Sequence, residues 1–92
     1  MKITINKIGD EKRRGLRVNV EDVKQFTVIN TPTQTGFQKT GTLVLKTGEL
    51  FSRLTVNCAK SLQQTLKYFA TKFQKREVVS GRKKAVDYIY EF

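Results

Sequence analysis

The chain contains no histidine and a single cysteine, Cys58, in 92 residues. These scarcities remove most of the usual catalytic vocabulary. Without histidine there is no Ser-His or Cys-His couple and no imidazole metal ligand, and one cysteine cannot close an internal disulfide. Acidic residues are also few, eight against eighteen Lys and Arg. The pairs Asp10-Glu11 and Glu21-Asp22 would need further ligands to hold a divalent ion. None is identifiable, so they read as a hairpin tip and a turn. Cys58 falls at the start of an expected helix, where a thiol can be acidified, but reads as a small, partly buried residue. Neither an enzyme, nor a cofactor, nor a metal site is expected.

No run of eighteen apolar residues is present, which excludes a membrane-spanning helix. The opening "MKITINKIGDEK" lacks the apolar core of a secretory signal. With one unpairable cysteine, a cytoplasmic location is expected. Proline occurs once, at Pro32. No repeat or low-complexity linker divides the chain, so residues 1–92 are read as one domain. An apolar content of 38% suffices for a single small core.

What the chain has in excess is positive charge, a formal +10. Such an excess costs self-repulsion, and an anionic partner would offset it. The charge is uneven. Residues 50–84 hold nine cations (Arg53, Lys60, Lys67, Lys72, Lys75, Arg76, Arg82, Lys83, Lys84) and one acid, Glu77. Concentration of this kind predicts a charged face rather than a uniform coat.

Local patterning sets the fold class. "KITINKI", "LRVNV" and "KQFTVIN" alternate apolar and polar residues or are rich in β-branched and aromatic ones, and read as strands. "GDEKRRG" reads as a hairpin tip. Thr31 to Gly41 reads as a long loop, or as a long hairpin tipped by "GFQK". "TLVLK" and "ELFSRLTV" flank a Thr47-Gly48 turn. The period then changes: Ala59, Leu62, Leu66, Phe69, Ala70 and Phe73 follow the 3-4 spacing of an amphipathic helix at about 58–75, with Asn57 as its N-cap. Glu77 to Val79 and Lys84 to Phe92 close the chain as a hairpin around "SGRK". These elements predict an α+β fold, a mostly antiparallel sheet of about five to seven short strands packed by one helix. A small barrel of the oligonucleotide-binding type is the alternative.

The expected helix carries Lys60, Lys67 and Lys75 opposite its apolar stripe, with Tyr68 among them and no acid to pair them. Its last turns add Lys72 and Arg76. If the following hairpin returned beside the helix end, Arg82, Lys83 and Lys84 would join Lys72, Lys75 and Arg76 in a phosphate-binding cluster. Phe37 and Lys39 stand near the tip of the Thr-rich segment, where an aromatic can stack on an unpaired base. Val86, Tyr88, Tyr90 and Phe92 share one face of the last strand and are expected to form the floor under the helix.

The expected function is therefore low-specificity nucleic-acid binding, DNA or RNA, with single-stranded or structured forms favoured. No major-groove or zinc-finger motif is present, and the one helix is committed to the core. Phosphate would be met by Arg53, Lys60, Lys67, Lys72, Lys75, Arg76, Arg82, Lys83, Lys84 and Lys39, and bases by Tyr68 and Phe37. A phage or plasmid accessory role suits this character. The alternative is a protein-interaction module that docks an acidic partner, a reading compatible with a homodimer through paired sheet edges.

Overall fold

The structure, a computed structural model, describes residues 2–5, 16–54 and 56–92. Strand β1 (Lys2–Ile5) pairs antiparallel with β2 (Leu16–Asn19) as a separate two-stranded sheet. The expected tip between them lies outside the described residues, as does Asp10-Glu11. A 3-10 turn, Val20–Asp22, leads into β3 (Val23–Thr33), β4 (Gly36–Leu45), β5 (Leu50–Leu54), α1 (Val56–Leu66), β6 (Lys72–Ser80) and β7 (Lys83–Glu91). The second sheet has the order β5-β4-β3-β7-β6, every neighbouring pair antiparallel. The fold is thus α+β, with one α-helix among the described residues packed on an open antiparallel sheet. It is not closed into a barrel: β5 and β6 stand at opposite edges.

One face of the sheet builds the core. Phe26 and Val28 of β3, Leu43 and Leu45 of β4, Phe51 and Leu54 of β5 and Tyr90 of β7 meet Cys58, Ala59, Leu62 and Leu66 of α1. Ile3 and Val18 of the small sheet close the same cluster. Helix α1 lies over β4 and against β1. Its seat depends on Gly41, where an added Cβ would come 2.8 Å from the Ala59 Cβ and 3.2 Å from the Leu54 Cβ. No helix among the described residues is long and apolar enough to cross a membrane.

Three boundaries differ from the sequence pattern. The Thr-rich segment is strand: β3 and β4 pair through Thr33 and Gly36, so the hairpin turns at Gln34-Thr35 and not at "GFQK". Pro32 is accommodated because β3 has no β7 partner beyond Val28, leaving a two-stranded ribbon with one open side. Asn57 lies inside the first turn of α1 rather than at its cap.

The third difference matters most for function. Helix α1 ends at Leu66, and residues from Lys72 onward are strand. The exit tightens: the Phe69 amide bonds the Leu66 carbonyl at 3.0 Å, an i to i−3 bond, and the Thr71 amide bonds the Glu91 carbonyl at 2.8 Å. Tyr68, Phe69, Thr71 and Phe73 are aromatic or β-branched, weak helix formers. Nine cross-strand pairs with β7, Lys72 to Ser80, outweigh the helical spacing.

Candidate nucleic-acid interface

Because α1 covers the β4 side of the sheet, the same face is left open over β6 and β7. The β6–β7 register puts Phe73 opposite Tyr90 and Lys75 opposite Tyr88. Phe73 is 48% exposed. Its ring stacks on Tyr90 at 4.8 Å and lies almost parallel to Tyr88, 8° between planes at 6.1 Å. Tyr90 is buried on Phe26 behind it, with ring centroids 6.1 Å apart, and its hydroxyl accepts a 2.9 Å hydrogen bond from Gln63 Nε2 of α1. The series runs from a fixed core ring to a half-exposed one.

Cations surround these rings. Lys75 Nζ stands 5.7 Å from the Phe73 centroid and 6.0 Å from that of Tyr88. Lys67 Nζ stands 5.1 Å from the centroid of Tyr68, whose side chain is 78% exposed. Lys67, Tyr68, Thr71, Lys72, Phe73 and Lys75 rim an open groove of about 450 Å³, with Tyr88 and Tyr90 below. The truncated helix creates this groove, since a helix running to Lys75 would have buried Phe73.

Of the residues expected to bind, Lys67, Tyr68, Lys72 and Lys75 therefore come together. Phe73 and Tyr88 join them, although the sequence pattern assigned Phe73 to the buried stripe and Tyr88 to the floor under the helix. Tyr88 had a signal in the alternating run Val86, Tyr88, Tyr90, Phe92, whereas Phe73 opens the stretch "FQKREVV", which has no period-two pattern and gives it none. Lys60 is exposed on α1, two turns before Lys67.

The other candidates lie elsewhere. Arg82, Lys83 and Lys84 are at the far end of the β6–β7 hairpin, so the six cations form a line and not a cluster. The line is roughly 30 Å long at 3.3 Å per residue. Lys83 Nζ donates to the Thr35 carbonyl at 2.7 Å, tying the two hairpin tips together. Lys84 is 3.6 Å from Glu77 in an exposed ion pair. Phe37 is half-buried beside Lys39 in a separate groove that includes Val56, at the opposite end of α1 from Lys67. Arg53 lies on β5, the other edge of the sheet.

Arg76 has a structural partner. Its guanidinium donates at 2.9 Å to Oδ2 of Asp87, which is fully buried. Oδ1 of Asp87 accepts from the Asn30 amide at 2.7 Å and from Asn30 Nδ2 at 2.9 Å, while Nδ2 also reaches the Val86 carbonyl at 2.8 Å. The β3–β7 ladder stops at Val28, and this side-chain clasp continues it. Burial raises the Asp87 pKa, but the Asn30 and Arg76 hydrogen bonds and the Arg76 charge outweigh it and hold the carboxyl below its ordinary value. No group of three or more potential metal-binding side chains occurs among the described residues.

Comparison with known proteins returns no match among family models, curated sequences or solved structures.

Proposed function

We propose that the chain binds single-stranded nucleic acid, or unpaired regions of structured nucleic acid, with low sequence specificity. The reading rests on one observation. Phe73 and Tyr88 form a partly exposed, near-parallel ring surface with Lys75 above it and Lys67 and Lys72 at its margin. Aromatic rings stack on any base that is not already stacked in a duplex, and cations beside them meet the backbone phosphates. Nothing in the groove supplies the paired donors and acceptors of base-edge readout, so discrimination among sequences is low. The chain acts as a binding module and not as an enzyme. A cytoplasmic accessory role, of the kind found in phages and plasmids, fits this chemistry.

The test is fluorescence anisotropy with labelled single- and double-stranded oligonucleotides at several salt concentrations. Single strands should bind more tightly than duplexes, with affinity falling as salt rises. Phe73→Ala should weaken single-strand binding by about 5- to 150-fold, the equivalent of about 1–3 kcal/mol for one stacked base. Lys72→Ala should lower the slope of log affinity against log salt by about 0.7. Binding that is indifferent to Phe73→Ala overturns the stacking site. Absence of binding at low salt overturns the function in favour of an acidic protein partner.

A further inference from the structure

Among the described residues, strand β6 pairs with β7 on one side only and forms an edge of the sheet nine residues long. Edge strands are normally short, bulged or covered. The ladder fixes the direction of its unpaired groups. The Phe92 amide bonds the Lys24 carbonyl, which puts the even-numbered residues of β7 in hydrogen-bonded pairs with β3 and the odd-numbered ones in pairs with β6. Through the register, Lys72, Gln74, Arg76, Val78 and Ser80 turn their backbone groups toward β7. Phe73, Lys75, Glu77 and Val79 turn theirs outward. The side chains of these same four residues project from the helix-bearing face, and Val79 is 57% exposed.

A second copy of this strand fits that edge. Antiparallel pairing of two identical edges places a two-fold axis perpendicular to the sheet, so the register is fixed by the residue on the axis. With Arg76 on the axis, Lys75 of one copy faces Glu77 of the other, and Phe73 faces Val79. Both are hydrogen-bonded pairs that use the outward groups, and the cross-strand neighbours are an opposite-charge pair and an aromatic–β-branched pair. Neighbouring registers fail. An axis at Lys75 opposes Lys75 to itself and Phe73 to Glu77. An axis at Glu77 opposes Glu77 to itself. The two Arg76 side chains meet on the other face, where each guanidinium is drawn back toward its own Asp87.

We propose that β6 is a self-association edge: two copies pair β6 to β6 about Arg76, joining two five-stranded sheets into one of ten strands. The inference rests on the backbone and on Lys75 and Glu77, and stands whether or not the chain binds nucleic acid.

Sedimentation or light-scattering mass of the full chain, without nucleic acid, tests it. The wild-type chain should run at twice the monomer mass. Lys75→Glu alone sets two carboxylates against each other at both charge pairs of the interface. Glu77→Lys alone sets two ammonium groups against each other there, so each variant should be monomeric. An equimolar mixture of the two should recover the doubled mass, and so should the chain carrying both exchanges. Circular dichroism that matches wild type shows that each variant is folded. A monomeric wild-type chain overturns the proposal. So does a dimer that either single variant leaves intact, and so does failure of the mixture to associate.

Discussion

At the residue scale, two positions hold the architecture. Gly41 lets α1 approach the sheet, since a methyl there would overlap Ala59. Gly41→Ala gains a little through the unfolded chain, about 0.4–1 kcal/mol, but overpacking costs about 1–3 kcal/mol. The net expectation is a less stable protein in urea denaturation. Combining it with Ala59→Gly should cost less than the sum of the two single changes, because the clash is then removed. Additive losses would mean that the helix shifts freely instead. Asp87 is the second position. Its carboxyl is held below the ordinary value in the folded chain, so the folded state favours the ionised form. That contribution is complete above the unfolded value of about 3.9 and is lost as pH falls through the folded value. Wild type should therefore lose stability on acidification, and Asp87→Asn should lose less over the same range. Asp87→Asn should also be weaker at neutral pH, by about 1–3 kcal/mol, because its amide group cannot accept from Asn30 and Arg76 together. Parallel pH profiles would remove Asp87 from the account.

At the element scale, the fold class was legible because it rests on short-range pattern. Period-two runs around Ile3, Val18 and Val28, the Thr47-Gly48 turn and the stripe Ala59, Leu62, Leu66 all appear where expected. What was not legible is where α1 gives way to β6. Phe73 completes a helical stripe from Leu66 and Phe69, while the stretch that follows it, "QKREVV", carries neither a helical nor an alternating pattern. Local propensity leaves that choice open, and pairing with β7 decides it, a contact between residues that the sequence does not mark as neighbours. The candidate site inherits this ambiguity. Lysines and Tyr68 can be picked out by type, but the exposure of Phe73 and Tyr88 depends on the helix stopping short. The Thr-rich segment was misleading in the same way, since Pro32 and Gly36 suggest a loop while the threonines favour the strand that forms.

At the scale of the whole molecule, charge and edge geometry meet on one strand. Strand β6 carries Lys72, Lys75 and Arg76, borders the aromatic groove and forms the open edge. Cations on an edge usually discourage pairing, but here the single acid of residues 50–84, Glu77, sits where the two-fold would match it to Lys75. A perpendicular axis keeps both grooves on the same side of the joined sheet. Phe73 of one copy lies across from Val79 of the other, six residues from that copy's own Phe73, or roughly 20 Å along the strand. One nucleic-acid strand laid along the joined edge would reach both grooves, and the second contact would form at a high effective concentration. Affinity should then rise steeply once an oligonucleotide is long enough to span the two sites, with stoichiometry in calorimetry passing from one strand per chain to one strand per two chains. The Glu77→Lys variant leaves the groove residues in place but separates the copies. It should bind short oligonucleotides at least as well as wild type, and show neither the step in affinity nor the change in stoichiometry. A step that survives Glu77→Lys would show that length dependence comes from contacts along one chain, through Lys67, Lys60 and the hairpin tip, and not from two grooves acting together.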